Sequence, residues 1–220
     1  MKNRCETIAA EAGIDSDRLR SVICCIAVVM KEQQQYLSDL DRETGDGDHG
    51  FNMARGFDAV VQRLKDAPET GISDLLKIVA MALISNVGGA SGPLYGGMFL
   101  KASTAAKGLT KMNLSDFVPL FREGVFGIQS RGNAVLGDKT MIDVLLPVAE
   151  SLEKDCTAGL SGADALANAE KTAAACMEKT RNLVARKGRA SYLCEHSLGH
   201  IDPGAASSYL MIRAIREAFE

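Results

Sequence analysis

Apolar side chains recur at three- and four-residue steps along nearly the whole chain, and nowhere do apolar and polar residues alternate over five or six positions. The first spacing places side chains on one face of a helix, and the missing alternation removes the half-buried strand. From Ser16, the residues Leu19, Val22, Ile23, Ile26, Val29 and Met30 mark a helix expected to run to about Leu37, with Ser16 as N-cap and Asp17 in its first turn. Met53, Phe57, Val60, Val61 and Leu64 mark a second over Asp48–Ala67. Further helices are expected from Ser73 to Gly88, with Gly88 as the C′ residue, and from Ser91, where Pro93 suits a first turn. Ser115–Ser130, Met141–Lys154, Ser161–Arg186 and Ala205–Phe219 complete the set, and a short segment before Ser16 is a candidate for one more. The expected fold is all-α, with about eight helices. Short connections make sequential helices antiparallel neighbours. With no repeat or linker dividing the 220 residues, they read as a single domain, 1–220.

Composition narrows the function. Hydrophobic residues make up 46% and charged residues 24%, which suits a packed soluble domain. A net charge of −3, 5% aromatics and no Trp disfavour nucleic acid, which is held by basic surfaces and stacked rings. The apolar runs are far shorter than the ~20 residues of a membrane-spanning helix, and the N-terminus lacks the apolar core of a secretory leader. The six Cys show no CxxC spacing and read as reduced thiols serving as small core residues in a cytoplasmic protein.

Two connections, Leu40–Phe51 and Arg186–Ala206, are rich in glycine and ligating groups. In the first, Asp41, Asp46 and Asp48 fall within eight residues, interleaved with Gly45, Gly47 and Gly50. Crowded carboxylates repel unless a cation offsets them, and an all-oxygen set suits a hard ion such as Mg²⁺ or Ca²⁺ rather than Zn²⁺, with few protein ligands favouring Mg²⁺. The spacing is not that of an EF-hand, since the twelfth position from Asp46 is Phe57. A plainer alternative is an Asp-rich turn in which Asp48 caps the next helix. The segment Asn86–Gly97 is a glycine-rich turn feeding a helix start, which offers N–H donors to an anion or else simply lets two helices pack closely. It lacks the Gly-Lys-Ser/Thr of a Walker A loop. Around Gly137–Asp143, Asp138 or Thr140 is a candidate cap. In the last segment Arg189 can pair with phosphate and Asp202-Pro203-Gly204 reads as a turn into the final helix, while His196 and His200 lack the companions of a zinc site.

Taken together, GDGDHGFNMARGF, GGASGPLYGG, GDKTMIDVLLPV and GRASYLCEHSLGHIDPGAASS, in this order and at these distances, resemble the ADP-binding L subunits (DhaL) of bacterial dihydroxyacetone kinases. The resemblance covers essentially the whole chain. It implies an eight-helix antiparallel up-and-down barrel with nucleotide at one end. It also implies that Asp41, Asp46 and Asp48 hold two Mg²⁺ against the diphosphate. His49, Gly50, Asn52, Ala90, Ser91, Gly132, Met141, Arg189, Asp202, Pro203 and Gly204 match nucleotide-contacting positions. Gly97, Asn133–Leu136 and Cys194 depart from the family's usual residues, and none of them is a ligand position.

The resemblance further implies a kinase subunit of the phosphotransferase-system type. In that type ADP stays bound, is phosphorylated in place by a phosphohistidine partner (DhaM type), and the resulting ATP phosphorylates dihydroxyacetone held on a K subunit (DhaK type). No general base for a substrate hydroxyl stands out here, which fits a base on the partner; Arg189 is the one candidate for a direct part in transfer. Two rivals remain at this level: a kinase subunit using free ATP on another small ketose, and a nucleotide-sensing regulatory module. A homodimer is compatible with either.

Overall fold

The computed structural model describes residues 13–67 and 70–220. The expected helix before Ser16 lies almost wholly outside them. The helices are α1 (Ser16–Glu32), α2 (Gln34–Arg42), α3 (His49–Lys65), α4 (Ile72–Asn86), α5 (Ser91–Ala105), α6 (Leu114–Gly132), α7 (Ile142–Thr157), α8 (Gly162–Lys179) and α9 (Pro203–Glu217). Short 3₁₀ turns cover Thr180–Asn182 and Arg189–Ser197.

Each helix from α3 onward packs on the next in sequence, α1 packs on α3, and α9 returns to pack on α1. The ring therefore closes. The α1–α2 pair forms one bent rod, so the described residues make eight rods, as expected for the barrel. The bend at Gln33 corrects the expectation of one straight helix to Leu37. Beside the bend α2 packs closely on the start of α3: a Cβ on Gly50 would stand 1.9 Å from the Gln34 carbonyl oxygen.

The caps also correct the sequence reading in places. Asp15, not Ser16, caps α1 by accepting the Arg18 N–H at 3.0 Å. Asn113 and Asp116 form a reciprocal capping box on α6. After α4 the chain turns extended at Val87, and the left-handed residue is Gly89 rather than Gly88. α8 ends at Lys179 and hands over to a 3₁₀ turn instead of continuing to Arg186.

Inward faces carry Met30, Leu37, Met53, Phe57, Leu75, Leu83 and Ile142, all essentially inaccessible. Ala165, Ala169 and Ala173 line one face of α8 and allow its close approach to neighbours. Gly96 does the same on α5, where a Cβ would stand 2.3 Å from Ile84 Cγ1. Toward one end of the ring lies an apolar cavity of about 370 Å³, lined by Leu19, Ile23, Phe99, Phe117, Phe121 and Ile215 among others. An isolated antiparallel bridge between Ile14 and Met112 sits beside it. The five described cysteines are free thiols, and the core role expected for them holds only in part: Cys156 and Cys176 are half-buried and pack against the core, Cys24 is half-buried, and Cys25 and Cys194 are exposed.

Candidate functional site

Up-and-down connectivity brings every chemistry-bearing segment to the same end of the barrel. α3, α5, α7 and α9 all begin there, directly after the four segments singled out in the sequence. Four helix N-termini, each carrying partial positive charge, therefore face one rim. Such a rim attracts anions.

The acidic cluster sits between α2 and α3. One carboxylate oxygen from each of Asp41, Asp46 and Asp48 lies within 4.8 Å of the others. Asp41 is buried at the end of α2, and its Oδ2 accepts the N–H groups of Asp48 at 3.0 Å and His49 at 3.1 Å. The turn needs glycine: Gly47 has φ +75°, and a Cβ on Gly45 would stand 2.3 Å from Asp41 Oδ1. Burial pushes the Asp41 carboxyl above its ordinary pKa, and the negative charges of Asp46 and Asp48 add to the rise against the two N–H bonds. A hard divalent cation would reverse that penalty, so the donor set fits Mg²⁺. The plainer reading fails at one point, because Asp48 stands at the N-cap of α3 without capping it through its side chain. Arg189, from the connection before α9, reaches across to Asp46 Oδ2 at 2.5 Å.

His49 points inward. Its ring nitrogens meet Ser207 Oγ at 3.0 Å and Ser91 Oγ at 3.2 Å, tying the starts of α9 and α5 to α3. Burial lowers its pKa to about 4, so the ring is neutral at pH 7. Ser207 also meets Tyr95, whose hydroxyl lies 2.7 Å from Ser207 Oγ, 2.9 Å from Ser208 Oγ and 3.0 Å from the Gly204 carbonyl. These buried hydroxyls satisfy one another across the barrel interior.

The remaining expected residues border this network. Asn52 packs on Gly88 and accepts Arg55 Nη2 at 2.6 Å, while Arg55 Nε bonds the Asn86 carbonyl that ends α4. Ala90 accepts the Leu94 N–H in the first turn of α5, and Gly132 faces Leu94. Met141 packs on Gly204. Asp202 caps α9 through a 2.7 Å bond from the Ala205 N–H, with Pro203 as the first helical residue. Of the two candidate caps, Thr140 meets the start of α7 and Asp138 does not. Asp138 accepts the Val135 N–H, and Thr140 Oγ1 meets the Ile142 N–H at 3.2 Å. Asp143 braces the turn from within the helix, accepting the N–H groups of Gly137 at 2.6 Å and Thr140 at 2.7 Å.

Sequence reasoning did not single out Tyr95, Ser207, Arg55, Asp143 or Lys139. The only available signal was polar residues on otherwise apolar helix faces, such as the Ser207-Ser208 pair in α9.

Burial pushes the Asp202 carboxyl up to about 7, against the Ala205 N–H bond and the Lys139 charge. A carboxyl raised on folding stabilises the fold below its unfolded pKa and loses that stabilisation as pH rises through the folded value. Asp202→Asn, which keeps a capping oxygen, should therefore gain on the ligand-free wild type by on the order of 4 kcal/mol in unfolding free energy between pH 4 and pH 8. Urea unfolding of both proteins across that range measures it. A difference independent of pH would mean that the carboxyl ionises normally.

Comparison with known proteins adds an independent line. Residues 43–217 match the family described as DAK2 domain. The chain is 45% identical over 187 residues to the PEP-dependent dihydroxyacetone kinase ADP-binding subunit DhaL of Escherichia coli (strain K12), covering 85% of this chain and 89% of that protein. It is 42% identical over 188 residues to the PTS-dependent dihydroxyacetone kinase ADP-binding subunit DhaL of Lactococcus lactis subsp. lactis (strain IL1403), covering 86% and 90%. The dihydroxyacetone kinase from C. freundii, solved in complex with AMP-PNP and Mg²⁺, superposes with a TM-score of 0.71 at 24% identity, over 93% of this chain and 34% of that one. That last likeness shows the all-α fold.

Proposed function

This chain belongs to the DAK2 domain family, and from that premise we propose that it is the ADP-binding, phosphoryl-transferring subunit of a dihydroxyacetone kinase. The observation that carries the proposal is three carboxylates converging at a rim where four helices begin. The two features ask for opposite charges, and a metal–diphosphate supplies both. Relatives at 45% and 42% identity carry the same description over most of their length.

In this reading the whole chain, 1–220, is one nucleotide-binding domain. Asp41, Asp46 and Asp48 hold Mg²⁺, two ions by the family pattern, which when bound neutralises phosphate charge. The protein's own groups do the rest. The first turn of α5 from Ala90 and Ser91 turns N–H donors toward phosphate. Arg189, its side chain largely exposed and paired among the described residues with Asp46, can turn to a phosphate oxygen. Neutral His49 fixes the Ser91 hydroxyl, so its orientation does not change with pH near neutrality. Asn52, held by Arg55, and Gly132, Met141, Pro203 and Gly204 border the rest of the nucleotide. Phosphoryl transfer depends mainly on such positioning and charge stabilisation.

The phosphoryl donor is a phosphohistidine protein of the DhaM type, and the acceptor is dihydroxyacetone on a DhaK-type subunit. The relatives' descriptions as PEP- and PTS-dependent support this route over free ATP. A cytoplasmic location follows from that chemistry, and no helix among the described residues is long and apolar enough to cross a membrane.

Titration with EDTA tests the core of the proposal. Chelation should release bound ADP and lower the melting temperature, because a ligand specific to the native state stabilises it by mass action. ADP retained at full chelation with an unmoved melting temperature would refute the metal assignment. Rapid exchange of bound ADP with labelled ATP would favour the kinase that uses free nucleotide.

A further inference from the structure

We propose that Lys139 is a positioning residue for the nucleotide site, a buried ammonium that clasps both ends of the segment Thr180–His200 and so keeps Arg189 beside the acidic cluster. The ligand in this proposal rests on the functional reading above. Lys139 is 1% exposed. Its Nζ donates to the Thr180 carbonyl at 2.6 Å and to the His200 carbonyl at 2.5 Å. Those carbonyls stand at the two ends of the segment, and Arg189 lies near its middle. Further bonds draw the same neck together: the Gly199 N–H to the Arg181 carbonyl at 2.8 Å, and the Arg186 N–H to the Asp138 carbonyl at 3.0 Å.

The clasp sits in an unfavourable place. Lys139 has φ +61°, a left-handed conformation that costs a non-glycine residue free energy. Burial opposes its charge and lowers its pKa, with Asp202 partly offsetting this. An apolar side chain of similar length would fill the space without the buried charge. What only the lysine supplies is N–H donors to two backbone carbonyls from a distant part of the chain. A strained and desolvated residue held in place by its surroundings points to a use for it.

Two links run from the neck to the rim. Thr180 Oγ1 accepts the N–H of Asp202 at 3.1 Å, and Asp202 caps α9, whose Ser207 meets His49. The segment itself carries Arg189 to Asp46. Releasing the neck therefore frees the arginine side of the nucleotide while leaving the three carboxylates in place. The expected consequence is faster nucleotide escape.

The test compares wild type with Lys139→Met, which lacks donors, and Lys139→Gln, whose amide keeps N–H donors without charge. Hydrogen exchange is measured on the nucleotide-free proteins, and release of a fluorescent ADP analogue is followed with Mg²⁺. In Lys139→Met, amides of residues 183–198 should exchange at least tenfold faster with those of α3–α6 unchanged. Release should be at least tenfold faster. Lys139→Gln should fall between the two and decides the matter alone if Lys139→Met does not fold. Wild-type release from a folded variant would overturn the proposal, even with a loosened segment. So would faster exchange spread evenly over the barrel, or failure of both variants to fold. If wild type binds no ADP analogue, the functional reading fails instead, and the exchange data still decide whether the clasp exists.

Discussion

Asp46→Asn leaves the barrel folded and lowers phosphoryl transfer by about a thousandfold in the reconstituted system. Asp46 carries little structural duty. It is exposed, and its one ion pair, to Arg189, is with a side chain that is also exposed. Exposed pairs contribute little to stability. Asp41 would be a poorer choice, because its carboxylate holds the N–H groups of Asp48 and His49 and its loss would disturb the turn itself. Removing one of three anionic ligands weakens cation retention, and charge stabilisation by such an ion is worth several kcal/mol in the transition state. A loss of about 4 kcal/mol corresponds to about three orders of magnitude in rate. Steady-state transfer, with circular dichroism as the control for folding, measures it. Full activity would remove Asp46 from the site.

Gly50→Ala lowers the stability of the nucleotide-free protein by about 3 kcal/mol, the upper part of the usual range for forced overpacking. The added methyl would stand 1.9 Å from the Gln34 carbonyl oxygen and 2.8 Å from both the Gln34 carbonyl carbon and the Ser38 nitrogen. All three are backbone atoms in α2, so no side chain can swing away, and α2 and α3 must separate. For a chain of this size the melting temperature should fall by roughly 10 °C. The resemblance assigns Gly50 to the nucleotide, and this experiment separates the two roles. An unchanged melting temperature without ligand would show that the glycine serves the ligand alone.

Much of the molecule was legible in the residue order. The three- and four-residue spacing of Leu19, Val22, Ile23, Ile26 and Met30 describes one buried stripe, and all five are buried on α1. Asp41, Asp46 and Asp48 are near in sequence, and a glycine-bearing turn brings near neighbours together. Asp202-Pro203-Gly204 reads correctly as a helix start because capping is local. Reading failed where a residue's partner lies far along the chain. Gln33 has no breaking residue beside it, yet the helix bends there, where α2 packs on the start of α3. Asp138 resembles a cap, yet its side chain accepts the Val135 N–H instead. The cysteines resemble core residues by type, yet of those described Cys25 and Cys194 are exposed while Cys156 and Cys176 pack against the core.

Residue order by itself determined the all-α class, the positions of the helices and the clustering of three carboxylates in one turn, because each rests on interactions spanning a few residues. Only the tertiary structure decided that four helix starts share one rim, that His49 joins Ser91 to Ser207, and that Lys139 spans Thr180 to His200. Those pairings join segments 40 to 160 residues apart, and closure of the ring, with α9 returning to α1, is what brings them within hydrogen-bonding distance.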